Sequence, residues 1–142
     1  MISLALAQAL KQAGLVWKAS THDFFAVPDR GMDERRFVIT DMMAHLDLLQ
    51  GWPVITFHGT AEWALDYIVT TEAVWMPTEG QLRQELENLL RDEAEKVLRL
   101  WWEDGRYHVQ IQYRSQTLTF DAATASDAYG EAILHLLHHY YA

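Results

Sequence analysis

The sequence predicts an α+β domain, a mainly antiparallel sheet with three principal helices packed on it, and three observations carry that reading. Residues 97–113 form two apolar-patterned runs joined by Asp104-Gly105, the two-residue signal of a type I′ hairpin turn. Three stretches, near residues 3–13, 78–95 and 124–140, repeat apolar residues at helical spacing behind capping residues. Between them lie short β-branched and aromatic runs punctuated by Gly and Pro. The 142 residues suit one domain, residues 1–142, with a soft lobe boundary near Pro77.

Taken in order, Ser3 is placed to cap a first helix running to about Ala13, with Leu6, Ala7 and Leu10 on one face and Gly14 as its stop. Leu15 to Trp17 is extended. Phe24 to Val27 and Phe37 to Thr40 are short strands, separated by the turn-forming Pro28-Asp29-Arg30-Gly31. From Asp41 to Leu49, Met42, Ala44, Leu46 and Leu48 alternate with Met43, His45 and Asp47, which favours strand over a helix capped by Asp41. Gly51-Trp52-Pro53 turns the chain into a strand from Val54 to Phe57. Thr60 to Val69 reads either as a short helix or as an irregular strand. Ala73 to Met76 is a strand ended by Pro77.

Thr78 and Gln81 form a capping box for a helix whose buried stripe is Leu82, Leu86, Leu89 and Leu90, fraying near Glu95. The Asp104-Gly105 turn then sets the register of Val97–Glu103 against Arg106–Tyr113. It places Trp102 opposite Tyr107, Leu100 opposite Val109 and Leu98 opposite Ile111, all on one face expected to lie beneath the last helix. Arg99, Trp101, His108 and Gln110 occupy the other face. Leu118 and Phe120 belong to a third strand. The last helix starts at Thr124 and Asp127 and carries the stripe Ala128, Tyr129, Ala132, Ile133, Leu136, Leu137 and Tyr140. The C-terminal part is therefore an α-β-β-β-α unit.

Composition narrows the function. Half the residues are apolar, with six Trp, six Tyr and five Phe, which suits a packed core. The absence of cysteine removes disulfides, thiolate zinc sites and thiol nucleophiles. The net charge of −9 is spread along the chain, and Arg35-Arg36 is its one basic pair, so nucleic acid and anionic membrane are not expected partners. No apolar run approaches the roughly 18 residues of a spanning helix. The N-terminal residues lack a basic leader, so no signal peptide is expected and the cytoplasm is the default location. Phosphate-binding loops, dinucleotide glycine fingerprints and nucleophile elbows are absent, and no cofactor is implied.

Four constellations remain. Glu131, His135, His138 and His139 share one side of the last helix at spacings that can chelate a divalent metal; the competing reading, a solvated face with histidines near the negative helix end, is preferred. His58, Glu62 and Asp66 fall together if their segment is helical, an acid–base set whose alternative is helix capping. Trp101 and His108 on the outer hairpin face make a contact surface for a partner or a second subunit, unless a helix or sheet covers them. Arg35-Arg36 beside Asp33-Glu34 reads as a surface ion-pair cluster.

The runs Phe37-Val38-Ile39-Thr40-Asp41-Met42, Phe57 through Asp66, and Trp75-Met76-Pro77 with Gln81-Leu82 resemble a family of short uncharacterised bacterial proteins, some labelled as pilus-assembly proteins. The resemblance covers about residues 1–90 and implies no activity; the phosphate-binding loop that an assembly ATPase needs is missing. The helix, three strands, helix order of residues 78–142 resembles a double-stranded-RNA-binding domain. Ala125-Ser126-Asp127-Ala128 stand where that domain carries its basic residues, so RNA binding is not implied. Size, acidity and the terminal helix also resemble type III secretion chaperones, dimers that bind extended protein segments.

Together these readings favour a non-enzymatic protein-interaction module, a homodimer or part of a small assembly. The alternative is a small hydrolase or transferase using His58, Glu62 and Asp66, metal-assisted at His135 and His139.

Overall fold

The computed structural model describes residues 1–28, 32–40, 44–57 and 67–140. Its elements are α1 (Leu4–Gln12), β1 (Phe24–Val27), β2 (Met32–Val38), β3 (Ala44–Leu49), β4 (Trp52–Phe57), β5 (Tyr67–Val69), β6 (Val74–Trp75), α2 (Glu79–Leu90), β7 (Leu98–Glu103), β8 (Arg106–Tyr113), β9 (Gln116–Ala122) and α3 (Ala125–Tyr140). The fold is α+β. All strand pairs among the described residues are antiparallel, but they are divided over three three-stranded sheets, in the orders β2-β1-β6, β3-β4-β5 and β7-β8-β9. The chain forms two compact units: Met1–Leu15 with Pro77–Ala142, and Val16–Met76.

In the unit Val16–Met76, β1 lies between β2 and β6. Its core gathers Phe25, Val27, Ile39, Ile55 and Ala73, with Trp17, Ala19 and Phe37 packed alongside. Asp23 is buried, and its carboxylate accepts from the Trp17 indole N–H at 2.9 Å and the Ser20 N–H at 3.0 Å. Those bonds satisfy a charge that burial alone would penalise. β2 begins at Met32, well before the expected Phe37, so the charged run Asp33–Arg36 lies within a strand rather than a loop. Charged residues hide period-2 patterning, which explains the difference.

The β3–β4 turn is Gln50-Gly51, both at positive φ (52° and 85°), and not Gly51-Trp52-Pro53. Pro53 is therefore inside β4, opposite Leu48. The proline is tolerated because β5 pairs with Val54 to Thr56, so no neighbouring strand among the described residues asks Pro53 for an N–H. Tyr67–Val69 is strand, which resolves the end of the ambiguous segment; residues 58–66 lie outside the described residues, as do 41–43.

The unit Met1–Leu15 with Pro77–Ala142 is built around α3. Ser3 caps α1, and Thr78 and Gln81 make both bonds of the capping box on α2, at 3.2 and 2.9 Å. α2 ends at Leu90, one turn before the expected fraying point. The Ser3 N–H donates to Asp127 Oδ1 at 2.9 Å, tying the start of α1 to the start of α3. Further along, Gly130 lets α1 approach: a Cβ there would meet the Leu6 side chain at 2.6 Å and Ile2 at 3.3 Å. A glycine inside an apolar helical stripe is the sequence signal of such an approach.

The β7–β8 hairpin has the register that its turn specifies: Trp102 faces Tyr107, Leu100 faces Val109 and Leu98 faces Ile111, with Asp104 and Gly105 at φ 52° and 76°. β8 continues into β9 through Arg114-Ser115, two non-glycine residues at φ 50° and 64°. This costly turn is held by its surroundings. The Arg114 N–H donates to Glu93 Oε1 at 2.6 Å, and its guanidinium lies 4.7 Å over the Tyr140 ring.

One expectation is corrected. Leu98, Leu100 and Trp102 do not go beneath α3 with Val109 and Ile111. Val109 and Ile111 are fully buried, Leu98 is half-buried, and Leu100 and Trp102 are 38% and 65% exposed. The side chains share a face, but the helix packs chiefly on β8 and β9. A helix is about 10–12 Å across and strands are about 4.8 Å apart, so one helix roofs about two strands. Truncation should report this gradient. Ile111→Ala is expected to cost roughly 2–5 kcal/mol in a chemical melt. Leu100→Ala is expected to cost no more than about 1 kcal/mol, because part of its surface is already in water. Equal losses at the two positions would contradict the burial gradient.

Candidate protein-interaction surface

β7 is an edge strand, paired among the described residues with β8 alone. A two-residue hairpin turn makes Glu103 and Arg106 a hydrogen-bonded pair, and such pairs alternate along the ladder. Trp101 and Arg99 therefore turn their main-chain groups toward β8, in keeping with the Gln112 N–H donated to the Val97 carbonyl. Leu98, Leu100 and Trp102 turn theirs to the open edge. These are the residues whose side chains emerge from under the helix roof. The edge thus combines free main-chain donors and acceptors with exposed apolar side chains. Beside the start of β7, Glu87 and Leu90 of α2 with Lys96, Val97 and Leu98 line a groove of about 300 Å³.

The outer face of this sheet is polar and open. The Arg99 guanidinium donates to Gln110 Oε1 at 3.0 Å, and Gln110 Nε2 donates to Thr119 Oγ1 at 3.3 Å. Arg106 pairs with Asp121 and, through that hydrogen bond and its charge, holds the Asp121 carboxyl below its usual range. Trp101 and His108 stack with ring centroids 5.1 Å apart and planes 12° from parallel. The Trp101 indole N–H donates to Glu103 Oε2 at 3.1 Å. These two residues are brought together as the register requires, and both are half-buried.

On α3, Glu131, His138 and His139 are exposed and His135 is half-buried. His135 packs on Phe120 of β9 at 5.3 Å and on His139 at 4.4 Å between ring centroids. Among the described residues, no group of three or more His, Asp and Glu side chains converges to hold a metal ion. His58, Glu62 and Asp66 lie outside the described residues. So do the side chains of Asp33 and Glu34, while Arg35 is exposed and Arg36 half-buried. A second apolar exposure occurs at the β3–β4 tip, where Leu48 and Trp52 are 70% and 66% exposed.

Sequence reasoning missed Leu100 and Trp102 as surface residues because period-2 patterning identifies a shared face without saying how far the roof extends. The available signal was position: Trp102 adjoins the hairpin turn on the first strand of three. Among the described residues no helix is long and apolar enough to cross a membrane. The chain matches no family model, no curated protein and no solved structure.

Burial lowers the His135 pKa below 6.5, and the neighbouring His139 and His138 add to the effect. The folded state resists a proton that the unfolded chain accepts. Stability is therefore complete above the ordinary histidine value and declines as pH falls below it, toward the lower folded-state value. The melting temperature should fall on going from about pH 7.5 to about pH 5.5, and less steeply in His135→Phe. Identical pH profiles for the two proteins would show that His135 is not the group responsible.

Proposed function

We propose that this chain is a non-enzymatic protein-interaction module that docks a protein segment along the open edge of β7. The reading is carried by the exposure of Trp102 and Leu100 on an edge strand whose inner neighbours Val109 and Ile111 are fully buried. Strand addition suits such an edge: main-chain hydrogen bonds supply affinity, and alternate side chains supply selectivity. Exposed edges carrying large apolar residues otherwise invite aggregation, so a protein that keeps one has a use for it. Trp in particular contributes a large rigid contact area. The family resemblance of residues 1–90 brings no activity that competes with this reading.

The test is co-expression of two differently tagged copies, followed by purification through one tag and quantification of the second copy and of any other stoichiometric protein. Trp102→Lys should leave the fold intact, since the side chain is already mostly in water, with a stability change within about 0.5 kcal/mol. It should nevertheless reduce recovery of the bound species about ten-fold or more, the loss expected when one central aromatic contact is removed. Recovery that is the same for both proteins would rule out β7 as the docking edge.

A further inference from the structure

We infer that the segment docked on β7 is β7 of a second copy, paired antiparallel about a two-fold axis at Trp101. This rests on the reading of β7 as the docking edge, and it names the occupant and the register. Antiparallel strands can pair only residues whose main-chain groups point the same way. On this edge those are Leu98, Leu100 and Trp102, so self-pairing registers move in steps of two residues. Centring the axis on Leu100 sets Arg99 against Trp101 of the other copy and leaves Glu103 opposite Val97. An axis at Trp102 sets Glu103 against Trp101 and runs Leu100 into the turn residue Asp104. Axes at Arg99 and at Glu103 place like charges directly opposite each other.

An axis at Trp101 matches every position from Arg99 to Glu103 and leaves only Leu98, the half-buried end of the strand, opposite the turn residue Asp104. Arg99 of each copy faces Glu103 of the other, giving two reciprocal ion pairs at non-hydrogen-bonded sites, where side chains are closest. Leu100 faces Trp102 in each direction, so the exposed apolar residues cover one another on the inner face. These two Leu–Trp pairs also exchange four main-chain hydrogen bonds through the open N–H and C=O groups. Within one copy, the Arg99 and Glu103 side chains bond to the neutral partners Gln110 and Trp101, and neither is in an ion pair among the described residues. The strand is therefore complementary in charge and in apolar content to its own reverse. Joining two three-stranded sheets this way makes one six-stranded sheet.

Sedimentation equilibrium of the full chain tests the inference through a charge swap. Arg99→Glu and Glu103→Arg each replace two ion pairs by two like-charge pairs and should weaken the dimer by about ten-fold or more. The double variant Arg99→Glu/Glu103→Arg restores the complement and should return to within about three-fold of the starting affinity. Because the chain has no cysteine, Trp101→Cys introduces a single thiol on the proposed axis, at a Cα separation of about 4.5 Å that suits a disulfide. Mild oxidation should link Trp101→Cys into a covalent dimer and leave Thr119→Cys, on the far strand of the same face, unlinked. A dimer indifferent to all three charge variants, with no cross-link at position 101, would overturn the register while leaving β7 free to serve another partner. A strict monomer whose co-purified partner depends on Trp102 would overturn the second copy as occupant. A strict monomer with no Trp102-dependent partner would overturn both this inference and the docking edge itself.

Discussion

The packing of α3 over two strands of a three-stranded sheet is the constraint from which the rest of the C-terminal unit follows. The helix has a continuous apolar stripe and must bury it. It does so on β8 and β9 below, with α1 and α2 against it on its other sides. The close approach of α1 depends on Gly130, and the hydrogen bond from Ser3 to Asp127 fixes where α1 begins. One helix is too narrow to roof a third strand. α2 reaches β7 near Leu98, at the groove that also includes Leu90. Leu98, Leu100 and Trp102 consequently pass from half-buried to mostly exposed along one strand.

That gradient separates two properties of a strand that are commonly joined. β7 is fully specified as a hairpin partner: its register follows from Asp104-Gly105, and Arg99 and Trp101 make cross-strand contacts with Gln110 and His108. It is incomplete as a sheet member, because half of its main-chain groups and its largest inner side chain meet solvent. The outer face is hydrogen-bonded within one copy, with Arg99 and Glu103 on neutral partners. Its polar groups bond along the ladder, and the Trp101–His108 stack and the Arg106–Asp121 pair are satisfied locally. The unmet main-chain and apolar potential is concentrated on the edge and inner face, which is why those carry the docking reading, while the outer-face charges Arg99 and Glu103 bear on its register.

Much of this architecture was legible in the sequence because local chemistry determined it. The capping box at Thr78, the turn at Asp104-Gly105 and the stripe of the last helix each depend on residues a few positions apart. What was not legible depends on distant packing. No local signal shows that a helix stops one strand short of Trp102, or that Arg114-Ser115 can turn without glycine because Glu93 and Tyr140 hold it. Likewise, Asp33–Arg36 does not look like a strand until Phe25 and Phe37 are seen facing each other. Trp101 and His108 stand out in the sequence as an outer-face aromatic pair, and the structure adds Trp102, the more exposed neighbour on the opposite face, whose exposure depends on how far the helix roof extends.

Amide hydrogen exchange along β7, followed residue by residue at high and low protein concentration, tests the central claim most directly. The Trp101 N–H, bonded to β8, should exchange slowly at both concentrations. The Leu100 and Trp102 N–H groups should be protected at high concentration and lose that protection on dilution. Rapid exchange of Leu100 and Trp102 at every concentration would show an edge that pairs with nothing. Slow exchange at extreme dilution would show that the chain covers the edge itself, and either result would contradict the account.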